Sequence, residues 1–213
     1  MSTQITDKPK TLRMPAADRR QQIVDVAAEL FSQKGFSGTM TKEIADRVGV
    51  SEAIIFRHFE SKEALYSAIL DYKVRQTAEQ IQEHLKQAES RKDDFAFFRT
   101  LAFDLLEMYR NDPTLMRLLM FSGLEGHKLS EIFFESTMNE VRMLLRRYVA
   151  QRIEDGTFRK IDPIIASRAF GGMIVHQVFV WTLYKDDMER SSAELADQFT
   201  ELFLTGVRMT NHK

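Results

Sequence analysis

Residues 41–62, Thr-Lys-Glu-Ile-Ala-Asp-Arg-Val-Gly-Val-Ser-Glu-Ala-Ile-Ile-Phe-Arg-His-Phe-Glu-Ser-Lys, constrain the fold more than any other stretch of the chain. Ile44, Ala45 and Val48 form an apolar stripe at helical spacing, and Ile55 and Phe59 form a second one a few residues later. Gly49 falls just past the first stripe, where a sharp turn needs positive φ, and Ser51 stands where it can cap the next helix. The pattern predicts two short crossed helices joined by a four-residue turn, the geometry that lays one helix in a DNA major groove.

The flanks extend the pattern. Upstream, Arg19 to Phe36 carries Ile-x-x-x-Ala-x-x-Leu-Phe-x-x-x-Gly-Phe, and downstream Phe59-x-Ser61-Lys62-Glu63-Ala64-Leu65 opens a further helix. Over about fifty residues, in order and spacing, this segment resembles the DNA-binding head of the TetR family of bacterial transcriptional regulators. The rest of the chain resembles that family in length and helical layout. The resemblance implies an all-α protein: a three-helix, helix-turn-helix DNA-binding head followed by a C-terminal helical bundle for ligand binding and dimerisation. We divide the chain into an arm at 1–17, a head at 18–66 and a body at 67–213.

Within the head, the hydroxyl and exposed amide of Thr41 suit a phosphate at a helix N-terminus, with Lys42 beside it as a groove or phosphate contact. Ser51, Glu52, Ala53, Ile54 and Arg57 open or line the exposed side of the second helix, opposite Ile55 and Phe59. Arg57 suits a bidentate contact to guanine, Glu52 a cytosine amino group, and Ala53 and Ile54 thymine methyls. Phe56 stands where the family often carries tyrosine, so its ring can pack on the sugar backbone without a phenolic hydrogen bond; His58 and Lys62 are phosphate candidates. Ordinary explanations stand beside these: an acid in a first helical turn is favoured by the helix dipole, and Arg57 and Lys62 are residue types that usually sit solvated on a surface.

Composition alone does not point to nucleic acid, because 30 basic residues face 31 acidic ones. A local basic excess lies in residues 1–20, at Lys8, Lys10, Arg13, Arg19 and Arg20 against Asp7 and Asp18, among Pro9 and Pro15 and without sustained periodicity. It reads as a flexible segment, either an added DNA contact or a solubilising tail. The chain has no cysteine, which fits a reducing cytoplasm, and no apolar run approaching the roughly twenty residues of a membrane span, so no membrane partner is expected. No metal-binding His-Glu-x-x-His, phosphate-binding Gly-x-Gly-x-x-Gly or cysteine nucleophile is present, and neither a cofactor nor an enzymatic activity is expected. A helical enzyme or small-molecule-binding protein that retains a regulator-like head is the alternative.

The body reads as helix throughout. Asp112-Pro113 and Asp162-Pro163 begin helices, Gly156 ends one that starts near Lys128, and Ser191-x-x-Glu194 is a capping box for the last. Residues 164–181 are apolar on almost every side. The last two helices are expected to pair with a second copy through Phe170, Val178, Phe199 and Phe203, with Gly171, Gly172 and Gly206 allowing close approach. A twofold protein matches a palindromic operator. The Phe- and Met-rich body, which includes Phe133, Phe134, Met138 and Met143, can be plain core or can line an adaptable pocket for a lipophilic or aromatic effector, with Phe98, Met116, Met120, Phe121, Met173 and His176 as candidate contacts. The resemblance further implies that such an effector shifts the spacing of the heads and frees the operator.

Overall fold

A computed structural model describes residues 14–125, 138–186 and 189–209. Lys8, Lys10 and Arg13 of the arm, Phe133 and Phe134, and the side chain of Met138 lie outside that description. The described helices are α1 (Ala16–Lys34), α2 (Thr41–Val48), α3 (Glu52–His58), α4 (Lys62–Arg91), α5 (Asp94–Asn111), α6 (Thr114–Leu124), α7 (Met138–Glu154), α8 (Pro163–Tyr184) and α9 (Ser192–Val207). No strand occurs among the described residues. A single antiparallel bridge pairs Phe158 with Arg208 and ties the α7–α8 loop to the end of α9.

Local chemistry sets most helix ends. Ser61, Asp93, Asp162 and Ser191 each accept a backbone N–H in the first turn of α4, α5, α8 and α9. At Ser191 the arrangement is reciprocal, since Glu194 accepts from the Ser191 N–H at 2.8 Å while its own N–H reaches Ser191 Oγ at 3.2 Å. Ser51 occupies the cap position of α3 but makes no side-chain cap bond. At Asp112-Pro113 the carboxylate accepts from Thr114 N–H at 3.0 Å, and α6 starts one residue later than the Pro-first pattern predicts.

Helix α4 is the long connector. Leu65, Tyr66 and Ile69 are buried near its start, Ala78, Ile81, Leu85 and Ala88 further along, and the helix packs on α1, α5 and α7. Tyr72, between these two groups, is 43% exposed. In the body, Phe98 meets Phe97, Tyr148, Phe158, Phe170 and Phe203 with ring centroids 4.6–6.2 Å apart. Such edge-on and tilted contacts add to area burial and hold α5, α7, α8 and α9 around one centre. Below it, Asp94 accepts from Arg152 Nε at 2.7 Å and Arg152 Nη2 at 3.2 Å, and from the Tyr148 hydroxyl at 2.9 Å. Burial, with Asp94 beside it, pushes the Tyr148 hydroxyl well above the usual phenol range.

Helix α8 departs from expectation. It is the one helix among the described residues long and apolar enough, by length and composition, to cross a membrane. Arg168, His176 and Gln177 interrupt the run and hid this in the sequence. Ala166, Phe170, Ile174, Gln177 and Val178 are buried, anchoring one face of the helix in the body.

Candidate DNA-binding head and ligand cavity

The turn between α2 and α3 is built on Gly49, at φ 77° and ψ 37°. Gly49 N–H donates to Asp46 O at 3.2 Å and Val50 N–H to Ala45 O at 2.9 Å, the paired bonds of a Schellman ending. A Cβ there would meet nothing within 4 Å, so backbone conformation alone selects glycine. Ile44, Ala45, Val48, Ile55 and Phe59 are buried in one cluster with Ile23, Val24, Ala27 and Phe31 of α1, where α2 packs on both α1 and α3, leaving the other side of α3 outward.

On that outward side Ser51, Ala53, Phe56 and Arg57 are exposed, Glu52, Ile54 and His58 are half-buried, and Lys42 is exposed on α2. Phe56 shows 47% of its surface and Met40, which precedes α2, shows 68%. Thr41 Oγ1 donates to Glu52 Oε1 at 2.6 Å, so these two expected DNA contacts hold each other and fix the crossing of α2 and α3. Lys62 is engaged within the protein. Its ammonium turns inward, donates to the Phe36 carbonyl and lies 4.2 Å from the centre of the Phe36 ring. Burial lowers its pKa from the ordinary lysine value. It therefore fastens the start of α4 to Phe36, just past the end of α1.

The seam between head and body was not foreseen from the sequence. Its body side is α6, through Arg117, Leu118 and Glu125 just past its end. Arg117 Nε donates to Ser32 O at 2.6 Å, the Tyr66 hydroxyl donates to Leu118 O at 2.7 Å, and Glu125 accepts from Ser37 N–H at 3.2 Å. The residue types carry no signal, since the partners lie 52 to 88 positions apart. Phe121, a ligand candidate, lies at this seam, where a Cβ added to Gly35 would stand 3.0 Å from its ring.

The other expected ligand contacts are dispersed. Phe98 and Met116 are buried, Met120 and Met173 are half-buried, and His176 is exposed. None of these lines the cavity of about 330 Å³ found between α5, α6 and α8, whose walls are Tyr109, Arg110, Pro113, Arg117, Trp181, Thr182 and Lys185. The expected dimer contacts divide by burial. Phe170, Val178 and Phe203 are buried inside the protomer, and only Phe199 is half-open. With α8 apolar on nearly every side, its sequence did not tell which side is core.

The family model for bacterial regulatory proteins of the tetR family matches residues 23–69, and that for the tetracyclin repressor-like C-terminal domain matches residues 99–207. The chain belongs to the TetR family. As a TetR-family protein it is a DNA-binding transcriptional regulator, with the helix-turn-helix of α2 and α3 as its DNA-binding element. The fatty acid metabolism regulator protein of Bacillus subtilis is 25% identical over 189 residues, 87% of this chain and 94% of the relative. Two solved TetR-like structures share the fold. The regulator FadR from Bacillus subtilis in complex with stearoyl-CoA has a TM-score of 0.73 at 19% identity, covering 88% of this chain and 99% of that one. AibR in complex with isovaleryl coenzyme A and operator DNA has a TM-score of 0.66 at 18% identity, covering 86% and 97%.

Proposed function

We propose that the protein is a homodimeric repressor that holds a twofold operator through α3 of each head and releases it when an acyl-coenzyme A thioester enters the body. The observation that carries the DNA side is Arg57, exposed on an α3 whose opposite face is locked by Ile55 and Phe59. A guanidinium on a rigid frame is what bidentate reading of guanine requires. Lys42 and His58 stand beside it as phosphate contacts, and Ala53, Ile54 and Phe56 as apolar ones. The thioester class is supported by the two structural neighbours solved with coenzyme A esters and by the fatty acid regulator among the relatives. Its place here is with DNA rather than in a bilayer, α8 being a helix of the C-terminal family domain.

Dimerisation is supported by a bare apolar face. On α8, Ile165, Ala169, Gly172, His176, Phe179 and Leu183 are exposed at alternating spacings of four and three, flanked by Val175. On α9, Phe199, Leu202 and Gly206 follow the same rhythm, with Leu202 67% exposed and Met209 open just past the helix end. That rhythm is the seam of helix-on-helix packing. A Cβ at Gly172 or Gly206 meets nothing within 4 Å, so the close approach that glycine permits is not used inside the protomer. A second copy packing α8 and α9 into a four-helix interface uses it.

The test is selection of genomic fragments by the purified protein, footprinting of the enriched site, and titration of that duplex with palmitoyl-CoA. Retention of a palindromic site, weakened by the thioester by about 5- to 150-fold, is expected. Failure to retain any duplex at low ionic strength overturns the reading. Loss of the gene should raise transcription beside the operator; a fall would reverse the sign.

A further inference from the structure

We propose that the cavity between α5, α6 and α8 recognises a phosphorylated headgroup and that Arg117 relays its occupancy to the head. The inference rests on the thioester reading above and assigns the polar end of that ligand. Arg110, Arg117 and Lys185 are three of the seven lining residues, and no acid is among the seven. None of the three is paired with a carboxylate among the described residues: Arg110 donates to the Arg190 carbonyl at 2.6 Å and Arg117 to that of Ser32. Three basic residues lining one concavity, none paired with a described carboxylate, concentrate an anion there.

The α8 wall adds an unmet donor. Trp181, which lines the cavity, has its Nε1 buried without a hydrogen-bond partner among the described residues. A buried donor left open in this way is uncommon, and a small turn of the ring brings it to an acceptor oxygen in the cavity. The Arg110 guanidinium lies 4.4 Å from the centre of the Trp181 ring, so an aromatic surface already carrying a cation borders the site. The volume of about 330 Å³ suits one polar end of a thioester rather than its full length.

Arg117 belongs to both structures. Arg117 lines the cavity, while its Nε holds the carbonyl of Ser32 in the last turn of α1. An arriving phosphate competes for that guanidinium. If the ligand binds better when Arg117 leaves Ser32, occupancy loosens one of the three α6 fasteners and biases the head toward its released position. Arg117 is thus a positioning residue that acts on DNA through α1.

The test pairs calorimetry with operator anisotropy on the full-length protein, using coenzyme A, palmitoyl-CoA, palmitate and pyrophosphate. Coenzyme A is expected to bind wild type, and Arg110→Ala/Lys185→Ala to weaken that binding at least tenfold. The same double variant should need at least tenfold more palmitoyl-CoA for half-release, relative to its own ligand-free affinity. Binding of pyrophosphate as tight as that of coenzyme A assigns recognition to phosphate alone and supports the site; palmitate matching palmitoyl-CoA in release removes it. Release that survives unchanged in the double variant overturns the cavity while leaving the effector class intact. No release by any thioester, with coenzyme A binding that the double variant abolishes, overturns the effector class and leaves the cavity. For the relay, Arg117→Gln at saturating palmitoyl-CoA should shrink the ratio of ligand-free to liganded operator affinity, and a ratio equal to that of wild type overturns it.

Discussion

Arg57 and Lys62 illustrate how far a side chain's role follows from its type. Both are cations in the matched head segment, yet Arg57 is exposed while Lys62 closes on the Phe36 carbonyl. Arg57→Ala should therefore weaken specific operator binding by roughly 1–3 kcal/mol without lowering thermal stability, as anisotropy and calorimetry will register. Lys62→Met should do the reverse. Losing a charged donor that is half-buried lowers unfolding stability by about 1 kcal/mol, while the salt dependence of DNA binding stays as it was. A salt slope reduced by about one would instead mean that Lys62 swings out to a phosphate on the duplex. The sequence showed that a positive charge belongs at 62 but not its direction, because the Phe36 carbonyl that captures it lies 26 residues away. Thr41 and Glu52 were legible as neighbours in the motif and not as each other's partner, which needs the crossing angle of α2 and α3.

Helix ends were the most legible features, since a cap depends on residues within one turn, as at Asp162, Ser191 and Gly49. Contacts between helix ends were not. Lys92 after α4, Asp94 at the start of α5, and Arg152 and Asp155 at the end of α7 form one charged cluster, with Lys92 Nζ 2.8 Å and Arg152 Nη1 2.7 Å from Asp155 Oδ2. The Lys92 hydrogen bond, joined by those from Gln151 and Arg152, lowers Asp155 from 3.8 to about 2. A carboxyl depressed in the folded state stabilises fully above its ordinary pKa and loses that contribution as pH falls through the folded value. Asp155→Asn should thus be less stable than wild type at pH about 6, and the gap should close between pH about 4 and 2 in urea titrations. A gap that persists at the acid end would assign the loss to packing. The cavity cations were hidden for the same reason as this cluster: Arg110, Arg117 and Lys185 meet only once α5, α6 and α8 pack.

How two copies meet follows from what each protomer leaves uncovered. The all-round apolarity of α8 announced that more than one face would be covered, but a period of 3.6 disappears when polar residues are nearly absent, so core and interface could not be separated. Packing separates them: Phe170, Ile174 and Val178 fill the protomer, while Ile165, Val175, Phe179 and Leu183 remain open. The two sets respond differently to charge. Phe179→Glu places a carboxylate on the open face, where a monomer tolerates it, and a dimer must bury it at a cost of several kcal/mol. Phe170→Glu puts the same charge among Phe98 and Phe203, 4.8 and 5.0 Å away between ring centres, where the protomer itself must pay. Sedimentation of Phe179→Glu should show a folded monomer with native helix content and operator affinity reduced by at least tenfold, because each head then binds alone. Phe170→Glu should instead lose helix content and cooperative unfolding. An intact dimer in Phe179→Glu, with Leu202→Glu equally silent, would place the contact between copies elsewhere than the α8 and α9 face.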